Sequence, residues 1–236
     1  MKERIYGPYA RLVRWAVRLG LRRWSPVEED HPPAPAVFVV HHQNLAGPVL
    51  SAALLPRQVR IWVLDVFFTR RDCFAQYYGY TFTRRFGWPR PLAFCAALPL
   101  SLLIPPLIRS LNAIPVHRGD RRIMETLDAA AAALAQGESV LVCPDLDYAS
   151  REDATGALYQ GFLHLERRAR RAGAPPLAYV PVCCARRTQR FVLGRPLYFP
   201  GNLPFKAGQK QMASALGAAL NQLNQRYNPT GEDSAC

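Results

Sequence analysis

Lysine is nearly missing from this chain. Three of the thirty basic residues are lysine (Lys2, Lys206 and Lys210) and the rest are arginine, against 17 acidic residues in 236. Arginine grips phosphate and carboxylate through a planar fork, where lysine acts as a mobile point charge. A guanine- and cytosine-rich coding sequence produces the same bias without functional cause. The six cysteines form no C-x-x-C pair and no regular spacing, which fits a disulfide framework or a zinc site poorly. Several stand in apolar runs and read as buried free thiols in a reducing compartment. Five histidines without paired spacing predict no metal site. No G-x-S-x-G elbow occurs, which disfavours a serine hydrolase. Neither glycine pattern of a nucleotide-binding loop is present. Charge-free runs long enough to cross a bilayer do not recur, so a polytopic membrane protein is excluded.

What is present is a half-hydrophobic chain with a net charge of +13. That length and apolar content suit one sizeable core and exclude a disordered basic tail. The charge predicts polyanionic company, whether nucleic acid, an anionic membrane or phosphorylated ligands. No nucleic-acid module is visible and the arginines are scattered or helical, so nucleic acid is not expected as a partner.

Residues 4 to 24 place Arg4, Arg11, Arg14, Arg18 and Arg22 at helical spacing, within about 80° of one another. Ile5, Tyr9, Leu12, Val13, Ala16 and Leu19 occupy the other side, flanked by Trp15 and Trp24. A basic amphipathic helix with bordering tryptophans reads as an element lying in a membrane interface. Two other readings stay open: a helix with its apolar stripe packed on the domain, and an organelle transit peptide. Pro26 and the stretch from Glu28 to Pro35 read as a linker, dividing a helix-and-linker segment, 1–30, from a domain, 31–236.

The body alternates strand and helix patterns. Strands are predicted at Val37–Val40, Gln58–Asp65, Ala113–His117, Ser139–Cys143, Leu177–Cys183, Arg190–Leu193 and Leu197–Phe199. Helices are predicted at Ala46–Leu55, Arg122–Ala135, Leu158–Arg171 and Ala207–Arg226. Phe67–Arg90 is aromatic and basic with little periodicity. Pro91–Ile108 carries no charge, and four prolines predict a broken helical pair, buried or dipping into lipid. The alternation predicts an α/β fold with a partly parallel mixed sheet flanked by helices, and an antiparallel excursion near 190–199.

In such sheets, reactive residues collect beyond the carboxyl ends of strands. Three predicted ends stand out: His41 and His42, then His117 and Arg118, then Asp145 and Asp147. Histidine is a natural general base near neutrality, arginine can hold a phosphate, and an aspartate can orient the histidine.

These blocks resemble the glycerolipid acyltransferases of the lysophosphatidic acid acyltransferase type. In VVHHQNLAGPVL, His42 and Pro48 match a histidine-x-x-x-x-aspartate-proline block. AIPVHRG supplies Val116 and Arg118 of an x-V-x-R block. VCPDLDYAS matches a phenylalanine-proline-glutamate-glycine-threonine-arginine block at Pro144 and, conservatively, Asp145. Tyr159-Gln160-Gly161 approximates an aromatic-lysine-x-glycine element, and YVPV supplies Val180 and Pro181 of a final valine-proline strand. Order and spacing agree from about residue 36 to 200, most of the chain. The sequence departs from the pattern at Gly47, where the family has its aspartate, and at Leu146 and Tyr148, where it has glycine and arginine.

The resemblance implies a membrane-associated O-acyltransferase on the cytoplasmic face of a membrane, peripheral or monotopic, with anionic lipids as partners. It implies transfer of a fatty acyl group from acyl-CoA or acyl carrier protein to a lysophospholipid or glycerol-phosphate hydroxyl, without cofactor or metal. His42 is the expected general base, with Asp145, Asp147 or His41 as substitute orienting groups. Arg118, Arg121, Arg122 and Tyr148 are the expected substrate-binding residues, with Arg151 a further replacement for the lost cation. Gly47 keeps a second reading open, a non-catalytic acyltransferase-like protein that binds lipid or coenzyme A.

Overall fold

The computed structural model describes residues 5–119, 121–147 and 152–229. After helix α1 (Pro8–Gly20) the chain forms β1 (Ser25–Glu28), β2 (Ala36–Val40), α2 (Ala46–Leu54) and β3 (Val59–Leu64). A helical excursion follows: α3 (Arg70–Ala75), a wide helical segment (Gln76–Arg85) and α4 (Arg90–Ser110). Then come β4 (Ile114–Val116), α5 (Ile123–Ala135), β5 (Ser139–Val142), α6 (Leu165–Arg171), β6 (Ala178–Ala185), β7 (Arg190–Leu193), β8 (Leu197–Tyr198) and α7 (Phe205–Tyr227).

The strands form one eight-stranded sheet in the order β1-β7-β6-β2-β5-β3-β4, with β8 beside β6. From β6 to β4 all pairings are parallel, whereas β7 and β8 run antiparallel to β6. This is the mostly parallel α/β architecture with an antiparallel excursion that the alternating pattern predicts. The continuous apolar run of β2 follows from its central place, since helices cover both faces there. Val37 and Val39 join the cluster containing Leu134 of α5, Leu165 of α6 and Leu216 of α7. Ala36, Phe38 and Val40 point the other way, with Leu50 of α2. That two-residue alternation divides the core between the faces of the sheet.

The alanine-rich α5 ends where Gly137 takes φ +82°. There Gly137 and Glu138 donate to the carbonyls of Leu134 and Ala133. This is the left-handed cap for which glycine is suited.

Four local expectations are corrected. Ser25–Glu28, read as the start of a linker, is an edge strand paired in parallel with β7. Pro91–Ile108 lies in one helix and not a broken pair, with Pro99, Pro105 and Pro106 inside it. Packing overrides their helix-breaking tendency: Ala93, Ala97, Ser101 and Pro105, spaced by four, form its buried face. The aperiodic stretch before it is largely helical, and over Gln76–Arg85 the helix is wide. The Thr81 and Thr83 hydroxyls donate to the carbonyls of Gln76 and Tyr78, five residues back. Its aromatic residues follow that wider turn and build a satellite cluster around Phe82, Ala93 and Ala97. Finally, Leu158–Arg171 is not one helix, for a 3-10 turn at Gln160–His164 precedes the short α6.

Candidate active site

Parallel strands deliver their carboxyl ends to one edge of the sheet. His41 and His42 follow β2, Asp65 follows β3, His117 and Arg118 follow β4, and Asp145 follows β5 closely. The strand order places β5 and β3 between β2 and β4. The exits to His42 and Arg118 are therefore three strand spacings apart, roughly 14 Å.

The two adjacent histidines face opposite ways. His42 lines a cavity of about 820 Å³, and His41 points into the small space on the other side, beside Asp153 and Thr155. Asp145 holds both. Its Oδ1 lies 2.5 Å from His41 Nδ1, and its Oδ2 accepts the backbone N–H of His42 at 2.8 Å. His41 Nε2 lies 3.0 Å from the Glu152 carbonyl. Both ring nitrogens thus face groups that only accept, so His41 is an imidazolium. Burial works against that charge, but Asp145, the Glu152 carbonyl and Asp153 outweigh it and raise the His41 pKa.

The His42 ring has a different environment. Its Nδ1 accepts the N–H of Leu45 at 3.2 Å, so the neutral ring carries its proton on Nε2. Burial lowers its pKa; Asp145 opposes this, while His41, Arg118 and Arg85 add to it. His42 is therefore neutral at physiological pH. The turn after it is strained: Gln43, Asn44 and Leu45 take φ values of 45°, 52° and 87° in succession. Arg85 braces the turn by donating to Asn44 Oδ1 at 3.2 Å.

Gly47 is more than a deleted carboxylate. A Cβ there would lie 1.9 Å from the His41 carbonyl oxygen, so α2 starts too close to the histidine pair for any side chain. The orienting aspartate of the family pattern has no room at this position.

The cavity runs from this polar end along α2, β3, α1 and α4. Pro48, Ala52, Trp62, Val13, Ile104 and Leu107 contribute to its walls. Arg118 and Arg121 line it beside His42, as does Asp145. Asp147 is exposed and does not line it, and Arg122 is engaged elsewhere. Tyr148 and Arg151 lie outside the described residues. The sequence pattern therefore brings together His42, Arg118, Arg121 and Asp145, with Asp145 reaching the backbone of His42 and the ring of its neighbour.

One pair escaped sequence reasoning. His117 Nδ1 donates to Asp65 Oδ2 at 2.9 Å, and its Nε2 accepts from Arg122 at 3.3 Å. This links the β3 end, the β4 end and the start of α5 into one polar chain. Asp65 stands directly after β3 and could have been found by the strand-end argument that singled out the other three. Among the described residues, no group of histidine, cysteine and carboxylate side chains is arranged to hold a metal ion.

Comparison with known proteins yields a fold likeness. No family model and no curated relative matches the sequence. Among solved structures, the chain is similar to the 1-acyl-sn-glycerophosphate (LPA) acyltransferase PlsC from Thermotoga maritima. The TM-score is 0.52 at 12% identity, over 92% of this chain and 80% of that one. The mixed sheet with its flanking helices is the shared feature.

Proposed function

We propose that this protein is an O-acyltransferase that moves a fatty acyl group from a thioester, acyl-CoA or acyl carrier protein, to a lysophospholipid or glycerol-phosphate hydroxyl. The observation that carries the reading is the apolar cavity of about 820 Å³ whose polar end gathers a neutral histidine and two arginines. Its size and apolar walls suit an acyl chain, and its polar end suits a phosphate-bearing acceptor. The fold likeness to an LPA acyltransferase supports the same class.

In the proposed reaction His42 removes the acceptor's proton as the hydroxyl oxygen attacks the thioester carbonyl. The carbon–sulfur bond breaks and the thiolate takes the proton from His42. Thioesters are activated already, so general-base help of about 10²–10⁴-fold with proximity suffices. Base action at Nε2 requires the ring to shift its proton to Nδ1 and release the Leu45 N–H. Arg118 and Arg121 hold the acceptor phosphate. The protein works at the cytoplasmic face of a membrane, peripherally or monotopically.

One observation favours a second reading, a non-catalytic protein that binds lipid or coenzyme A. Where the family pattern has a carboxylate to receive the Nδ1 proton, this ring meets an N–H donor. The two readings part in one assay. Purified protein, anionic vesicles, an acyl thioester and a panel of lysophospholipids should release free thiol, and His42→Ala should abolish the release without preventing vesicle binding. Vesicle binding without thiol release from wild type, for every acceptor, leaves the non-catalytic reading standing.

A further inference from the structure

Helix α1 turns Ala10, Val13 and Val17 toward the protein but leaves its largest apolar side chains outside. Its large apolar residues Leu12, Trp15 and Leu19 face outward, with exposures of 60, 60 and 38%. Its arginines turn toward the body of the protein. Arg14 Nε and Nη2 donate to the carbonyls of Ala53 and Leu55 at 3.2 and 2.5 Å. Arg18 Nε and Nη2 donate to the same two carbonyls at 2.5 and 3.3 Å. Arg11, on the same helical face, has its Nε buried without a hydrogen-bond partner.

Capping the end of α2 does not balance this charge. A helix carboxyl terminus supplies about half a negative charge, which leaves two guanidinium groups with a surplus of about +1.5. Among the described residues, the arginines paired with carboxylates do not include Arg11, Arg14 or Arg18. Each guanidinium of Arg14 and Arg18 has N–H donors left after its two bonds, since it carries five. Burial, and next the charge of Arg18, push the Arg14 pKa down, so a neighbouring anion would relieve a real cost. Arg18 is exposed, so the cradle opens to the surface.

We propose that Arg14 and Arg18, with Arg11 beside them, form a binding site for the phosphate of an anionic lipid headgroup. Arg14 also lines the α1 side of the cavity that Arg118 and Arg121 line, so the cradle is the outer edge of that cavity and not part of the acceptor contacts at its histidine end. A soluble anion would need no apolar shelf, and this cradle has one. Leu12, Trp15 and Leu19 flank the arginines on the same helix, their mean direction about 100° round from them. The helix is tied at its start to the end of α4, where the Ser110 carbonyl and hydroxyl accept the N–H groups of Gly7 and Ala10. α4 itself presents Leu92, Phe94, Leu98, Leu102 and Leu103 outward, and only 22% of its most apolar stretch is buried. With the apolar faces sunk into the headgroup boundary, the arginines stand at phosphate level between helix and domain. This deepens the membrane-surface part of the proposed function, on which it rests, and its test needs no turnover.

The test uses the full chain and vesicles of phosphatidylcholine with and without phosphatidylglycerol, in low and high salt. Salt screens exposed charges strongly and a partly buried cradle less. Wild type should keep its preference for the anionic vesicles in high salt. The pair Arg14→Gln and Arg18→Gln, whose amides still donate to the α2 carbonyls, should lose that residual preference by about tenfold. The pair Arg22→Gln and Arg23→Gln, with equal charge loss, should retain it. A cradle pair that binds like wild type, or a control pair that loses as much, overturns the site. Displacement of the anionic vesicles by inorganic phosphate alone overturns the lipid assignment. Wild type that binds neither vesicle sinks the membrane reading as well.

Discussion

The carboxylate of Asp145 is shared between two neighbours: Oδ1 lies 2.5 Å from His41 Nδ1, and Oδ2 accepts the His42 backbone N–H at 2.8 Å. The orienting carboxylate therefore reaches His42 through its main chain. The buried His41–Asp145 ion pair fixes the strained turn from Gln43 to Leu45, and with it the His42 ring. Breaking one partner of such a pair leaves an uncompensated buried charge and is strongly destabilising.

That arrangement has a pH signature. The His41 pKa is raised in the folded protein, so its contribution is fully present below the unfolded value of about 6.5 and is lost as pH rises through the folded value. Denaturant unfolding of wild type and His41→Gln should show wild type more stable at slightly acid pH. The gap should narrow as pH rises above neutrality. A gap that widens with pH would mean that His41 is neutral in the folded state.

Placing at position 47 the aspartate of the acyltransferase pattern should fail. With the His41 carbonyl 1.9 Å from a Cβ at position 47, Gly47→Asp forces the start of α2 away from the histidine pair. Gly47→Ala should destabilise by about 1–3 kcal/mol through overpacking. Gly47→Asp should unfold at still lower denaturant and show no gain in thiol release. An aspartate variant with wild-type stability and higher activity would contradict the close approach.

Much of the architecture was legible in the sequence because strand and helix periodicities differ and the central strands are uniformly apolar. Local rules fail where tertiary packing overrides them. Pro99, Pro105 and Pro106 sit in α4 although proline alone predicts a break. The helix over Gln76–Arg85 is wide, with Phe86 N–H donating to the Thr81 carbonyl five residues back, and no 3.6-residue pattern reveals it. At the candidate site, the strand ends already bring His42, Arg118 and Asp145 to one edge of the sheet, but which histidine takes Asp145 on its ring is decided by ring direction, and adjacent residues in a sequence carry no such information. The inward arginines of α1 were hidden likewise, since an amphipathic pattern separates two faces without saying which one faces the protein.

The His42 environment predicts a low-shifted activity profile. Burial first, with Arg118 and Arg85 among the added causes, holds its pKa below the ordinary histidine value. If His42 acts as the base, kcat/KM should rise with pH and level off with a midpoint below about 6.5. Arg85→Gln removes one depressing charge and should move the midpoint upward. An unchanged midpoint in that variant would separate Arg85 from the histidine.

The Asp65–His117–Arg122 chain should act on binding more than on chemistry. His117 Nδ1 is held by Asp65 at 2.9 Å while Nε2 receives Arg122, beside the cavity-lining Arg118. Asp65→Asn leaves the ring without its carboxylate and lets it turn, loosening the strand end that carries Arg118. The expected outcome is a KM for a phosphate-bearing acceptor raised about tenfold with kcat little changed, the mark of lost uniform binding. A monoacylglycerol acceptor, which lacks the phosphate, should be indifferent to the change. Equal losses for both acceptors would assign Asp65 a general structural role.

Acyl-chain length offers the most direct test of what fills the cavity. Ala52 lines its wall on α2, five residues beyond Gly47, which places it about 7.5 Å along the helix from the histidine end. A chain lying in the cavity must pass it. Ala52→Phe adds a ring where the wall now carries a methyl group, and being half-buried the site can accept it without filling the core. Transfer from long-chain acyl thioesters should fall by at least about tenfold, while transfer from short-chain ones stays near wild type, since only the distal carbons meet the ring. Denaturant midpoints for the two proteins check that the fold is kept. A uniform loss across chain lengths, with the fold intact, would place the acyl chain outside this cavity.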